Sequence, residues 1–283
     1  MENNFYNVAG MNEPDFFEKL LSSLEGEAAK VISAVRTGGC WPLKQGDREI
    51  LANFAAVQYL RGPNRRRAIG QMLADIVQLE TSISGREGVI KYFEDAGFEP
   101  TEEVVNAAWK RIMAPDGPQI EISPAQHIEH MATALPQVLK FFVGRPWVLV
   151  RFGRKKLITC DTPVSLMPGP NTLPVQGVGL ANALAITLPL ARDVGLLMVD
   201  PGGLADLSGT DNGVAAARDR AKAGNLDAAN LFNDLTIRNA RRAIFHHPKD
   251  GARIPKILKD PVEREFHVRG LDGIVEQHRE PSG

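Results

Sequence analysis

Cysteine is scarce in this chain of 283 residues: only Cys40 and Cys160 occur, far apart and without a Cys-x-x-Cys spacing. That argues against a disulfide scaffold and against a structural zinc site, and it fits a reducing cytoplasm. Long apolar runs are missing as well. The best of them, Gly177 to Leu190, ends in Leu-Pro-Leu and falls short of the roughly 20 residues that a membrane helix needs. The opening MENNFYNVAGMNEPDFF has no basic start and no continuous apolar stretch, so no signal peptide is expected. Charge of one sign is absent too: 33 Lys+Arg stand against 34 Asp+Glu, a formal net of -1. A histone-like or tail-driven nucleic-acid binder would be strongly basic. The 26 Gly and 19 Pro follow no collagen period. No G-x-G-x-x-G follows a strand pattern, and neither a Walker A loop nor H-E-x-x-H occurs. No cofactor and no metal site are therefore expected. The nearest approach to a ligand pair is His127 and His130, three apart on a helical stretch.

The composition that remains, 43% hydrophobic and 24% charged, is that of a soluble globular protein. A chain of this length buries roughly 75% of its unfolded surface and needs no covalent staple. Along the chain the hydrophobic period changes once. Up to residue 144 it is helical. Phe16, Phe17, Leu20, Leu21, Leu24, Ala28, Val31, Ile32 and Val35 recur at three- and four-residue spacing between Asp15 and Arg36, with Pro14 in the first turn. Further helices are predicted over 47–60, 64–83, 85–96, 101–113 and 123–143. Asp47 is the N-cap of the first of these, and Pro136 is a kink in the last.

Beyond Gly144 the pattern turns to strands. Trp147 to Phe152 reads as one strand and Lys156 to Cys160 as its hairpin partner. A Pro/Gly-rich loop follows, then strands over 183–188 and 195–199, a helix over 226–240 and a strand over 242–246. A run of helices followed by mostly antiparallel strands is an α+β arrangement, with a helical half (1–144) packed on a small sheet half (145–247). The polar tail, 248–283, is expected to be loosely held.

Four segments carry chemistry-bearing side chains. QYLRGPNRRR gathers Gln58, Arg61, Arg65, Arg66 and Arg67 about a Gly62-Pro63 turn. The plain reading is a solvated basic face set against Asp75 and Glu80. The sharper one is a phosphate or nucleic-acid contact through Arg61 to Arg67, since guanidinium forks suit phosphate. In LITCDTPV, Asp161 ends a strand. It would accept backbone N–H bonds of the following turn, or serve as a catalytic base at a cleft. Cys160 beside it reads as a small buried hydrophobe. Asn230, Asn233 and Asn239 lie in one helix, where asparagine is unfavourable unless it ties the helix to a neighbour. His246 and His247 end the last strand on opposite faces.

In order, Asn4-Phe5-Tyr6, the Glu25 helix, FAAVQYLRGPNRRR, LITCDTPV, ITLPLARDVGLLM and the Asn-bearing helix before ARRAIFHHP resemble the domain-of-unknown-function family 4238. The resemblance spans roughly Asn4 to Pro248. Cys160 stands where the family usually has Ser, and Ala191 where Pro is common. Members often open with an extra strand-rich segment near a His-x-x-Pro pattern, so a shortened or differently started version is expected. The resemblance implies no substrate. It implies one polar pocket holding Arg61, Arg65, Asp161 and Asn230 or Asn233. Two functions follow as expectations: a non-catalytic interaction module with a structural Arg/Asp/Asn network, or an enzyme or effector acting on a phosphate-bearing or nucleic-acid substrate. In the second, Gln58, Arg61, Arg65 and Asn233 bind the substrate and Asp161 is catalytic.

Overall fold

The computed structural model of the protein describes residues 15–169, 177–201 and 219–253. Pro14, the Asn4-Phe5-Tyr6 element and most of the polar tail lie outside the described residues. Those described form an α+β fold in two compact units. One comprises residues 15–63 and 124–253, the other Asn64–Ser123.

In the first unit, α1 (Phe16–Arg36), α2 (Gln45–Leu60) and α5 (Pro124–Val143) are the helices of the N-terminal run. α1 starts after Asp15, as the apolar period predicts. α2 starts earlier than the expected Asp47 cap. Lys44 is the flanking residue, and Asp47 sits in the first turn, where its carboxylate complements the helix dipole. α5 continues through Pro136.

The sheet is built from β1 (Trp147–Phe152), β3 (Ser165–Pro168), β4 (Ala183–Ala191), β5 (Val194–Val199) and β6 (Arg220–Gly224), in the order β3-β4-β5-β1-β6. All neighbours are antiparallel except β1 and β6. α6 (Leu226–Asn239) follows β6. Side-chain alternation on β1 divides the core in two. Trp147 and Leu149 join Ile186, Leu188, Leu196 and Met198 under α1, α2 and α5. Val148, Val150 and Phe152 face the other way, onto Ala229 and Phe232 of α6. The sheet of the first unit is therefore a middle layer with helices on both faces, which explains why β1 is apolar along nearly its whole length.

Two sequence expectations fail in the strand-rich region. Lys156–Cys160 does not pair with β1. A short strand, β2 (Thr159–Cys160), pairs instead with β7 (Ile244–Phe245) in a separate two-stranded sheet. The reason is local competition for backbone groups. The N–H of Leu157 donates to Arg192 O, and that of Ile158 donates to the side chain of Asn233, so neither can join a ladder with β1. The hydrophobic pattern also does not reveal β3 and β6. β3 hides in a Pro/Gly-rich stretch, and β6 is an exposed edge, RAKAG, whose only apolar side chains are two alanines.

Polar ties fasten the unit. The guanidinium of Arg48 lies 4.1 Å over the Trp147 ring. It pairs with Asp219 and donates to the carbonyls of Val143 and Arg145. Arg151 on β1 donates to Val35 O and Arg36 O, closing the C-terminus of α1. Arg192, in the β4–β5 turn, makes a two-pronged bond to Asp250 in the closing 3-10 turn Pro248–Arg253. That hydrogen bonding holds the Asp250 carboxyl below the usual carboxylate range. His246 and His247 are both exposed beside it.

The second unit holds α3 (Pro63–Asp95) and α4 (Glu102–Ile112). The sequence predicts two helices meeting at Gly85, and α3 does break there, with φ 65° and ψ -163°. Thr101 caps α4 through its side chain at Val104 N. Gln78 donates to Ile112 O and Ala114 O, tying α3 to the end of α4.

Candidate functional site

The strand-end carboxylate, the end of α2 and the asparagine helix meet within the first unit. α6 is the organising element. Ala229, Phe232, Asn233 and Thr236 form its buried stripe, so its asparagines fall along the boundary of the face that meets the chain between Lys155 and Ser165. Asn233 accepts a bond from Ile158 N at 3.0 Å and donates to Lys156 O at 3.0 Å. Asn230 accepts from Lys155 Nζ. Asn239 donates to the carbonyls of Thr162 and Val164, while the Thr162 hydroxyl donates to Asn239 O. The Ser165 hydroxyl donates to Leu235 O at 3.3 Å.

Asp161 extends the same seam past the end of α6. Its Oδ1 accepts the backbone N–H of Arg241 and its Oδ2 that of Arg242, each at 3.0 Å. The carboxylate does accept backbone N–H bonds, as a strand-end Asp should. They come from a segment 80 and 81 residues away rather than from the turn that follows. Its own N–H donates to Ala243 O, leading the chain into the β2–β7 pair.

Cys160 is buried, and burial pushes its thiol up to about 11, against the hydrogen bonds with Thr162 that favour the thiolate. It is no nucleophile at neutral pH. Cys40 is exposed. A thiol reagent should therefore add once to the native protein at pH 8, at Cys40, and a second time only in denaturant, as read by intact mass. Two rapid additions to the folded protein would contradict the packing around Cys160.

The arginine turn abuts this seam through Gly62. That glycine is buried, and a Cβ placed on it would stand 3.1 Å from Thr162 Cγ2. Glycine is thus the residue that lets the end of α2 approach the residue after Asp161. Arg61, at that end, pairs with Glu25 of α1 at 2.5 Å. Gln58 is 6% exposed, inside the α2 packing. Arg65, Arg66 and Arg67 belong to α3 in the second unit. Of the acidic residues named with them, Asp75 accepts a bond from Gln71. His127 is 2% exposed on α5. No group of three or more His, Cys, Asp or Glu side chains among the described residues is placed to hold a metal ion. No described helix is long and apolar enough to cross a membrane.

Sequence reasoning missed a second feature, the exposed apolar side chains around the Gly85 break in α3. Ile83, Tyr92 and Phe98 are among the most exposed large apolar side chains. The signal was present: these residues recur within a stretch crowded with Glu and Asp.

The chain is thus an α+β protein whose Thr-Cys-Asp-Thr-Pro strand end is bonded to the segment after an asparagine-bearing helix. The chain matches the family described as "Protein of unknown function (DUF4238)" over residues 1–250, and it belongs to that family. No curated protein and no solved structure matches it.

Proposed function

We propose that the protein is a non-catalytic interaction module whose Arg/Asp/Asn network holds the fold. One observation carries this reading: both carboxylate oxygens of Asp161 are engaged by backbone N–H groups. A general base needs a lone pair directed at substrate, and here the carboxylate fastens two distant segments. Arg61 likewise joins two helices through Glu25.

The test is thermal. In the Asp161→Ala variant two backbone donors lose a charged acceptor, at a cost of about 2 kcal/mol. For a chain of this size the melting temperature should drop by about 5 °C. Asp161→Asn keeps one acceptor oxygen and should fall between. The rival reading is an enzyme or effector that uses Arg61, Arg65 and Asp161 on a phosphate-bearing or nucleic-acid substrate. It makes the opposite prediction. An Asp161→Ala protein that melts like wild type while losing hydrolysis of a phosphate ester, or binding of an oligonucleotide, would reject the module.

A further inference from the structure

The break in α3 shapes a surface of its own. The positive φ of Gly85 turns the helix in a region of backbone space that suits glycine. Gly88 completes the elbow, since a Cβ on it would collide with the Ser84 side chain. Glu80, Ile83, Ser84, Lys91, Tyr92 and Asp95 line the resulting groove, of about 430 Å³. Ile83 is 70% and Tyr92 73% exposed, and Phe98, just past the helix, is 66% exposed. The groove is thus an open trough rather than an enclosed cavity, with Ile83 and Tyr92 as its apolar side chains.

Charge indicates what fits it. From Glu80 to Glu103 the chain carries seven carboxylates against Arg86 and Lys91, although the whole protein is nearly neutral. A partner that is apolar on one side and basic along its edges complements both properties. We propose that this trough docks a basic amphipathic helix of another protein. An apolar anchor would sit between Ile83 and Tyr92, and its Lys or Arg neighbours would meet Glu80 and Asp95. This is helix-in-groove recognition. The proposal rests on the interaction-module reading and names its partner class.

The probe is a fluorescent amphipathic peptide of Leu and Lys, about five helical turns long, titrated into the full chain by anisotropy. A Leu/Glu peptide of the same pattern serves as control. The Leu/Lys peptide should bind at least tenfold tighter, and less so as salt rises through the range where surface charges are screened. Ile83→Ser and Tyr92→Ala should each weaken it about tenfold, with melting temperatures unchanged because both side chains are exposed. The Glu80→Lys/Asp95→Lys double variant should favour the Leu/Glu peptide instead. Equal binding of the two peptides, or a preference that survives all four substitutions, overturns the proposal. So does sedimentation showing self-association that Ile83→Ser abolishes, because the occupant would then be a second copy. The two ideas fail separately. A thermally normal Asp161→Ala protein lacking an activity removes the module reading without touching the peptide preference. A missing peptide preference beside a destabilised Asp161→Ala removes only this trough.

Discussion

Replacing Trp147 by Ala should destabilise the protein by about 3–5 kcal/mol, the range for truncating a large buried aromatic. Trp147 is 0% exposed and opens the central strand β1. Its indole N–H donates to Phe142 O at 2.8 Å, linking the sheet to the last turn of α5. Its ring lies under the Arg48 guanidinium, and Arg48 reaches the carbonyls of Val143 and Arg145 and the carboxylate of Asp219. The Ala variant thus loses ring packing, one hydrogen bond and the cation's aromatic seat together. Thermal unfolding followed by circular dichroism should show a midpoint lower by about 10 °C. Trp147→Phe keeps most of the packing and loses the N–H, so about 1–2 kcal/mol is expected. A Trp147→Ala midpoint within about 2 °C of wild type would mean that the core is not organised around this residue.

The reach of the sequence can be judged on these same residues. WVLVRF is unmistakable as a buried strand because a central strand with helices on both faces needs apolar side chains in both directions. The helix boundary at Gly85 was legible because it depends on a single residue's local chemistry. The pairing of β2 was not. Its flanking turn favours a hairpin with β1, but Asn233 supplies a side-chain amide that captures the backbone of the would-be strand, and nothing local to residues 156–160 announces a competitor 75 residues away. Asp161 is the intermediate case. Its chemistry, a carboxylate receiving backbone N–H bonds, follows from its place at a strand end. The donors, Arg241 and Arg242, follow only from where α6 delivers the chain. The candidate positions were therefore readable as a set of polar residues, while the question of site or seam turned on long-range partners.

Asn233→Ala is expected to be nearly as damaging as Trp147→Ala, at about 2–4 kcal/mol. The side chain is 9% exposed and acts as a short strand, with Oδ1 receiving Ile158 N–H and Nδ2 donating to Lys156 O. Truncation leaves both backbone groups in the seam without these partners, and each such loss costs about 1–3 kcal/mol where water cannot replace the bond. The Asn233→Asp variant isolates the donor half. Its carboxylate can still receive Ile158 N–H, but when ionised it faces the Lys156 carbonyl with charge against lone pair. Folding therefore favours the protonated form, which raises the folded-state pKa of that carboxyl above its unfolded value. The sign follows by linkage: the stabilising protonation is fully present below the unfolded pKa and is lost as pH rises through the folded one. Melting curves should thus show the gap between Asn233→Asp and wild type narrowing as the pH falls into the carboxylate range. A substrate-binding Asn233 would behave differently. Its Ala variant would melt like wild type and lose a ligand, and its Asp variant would show no such pH-dependent recovery of stability.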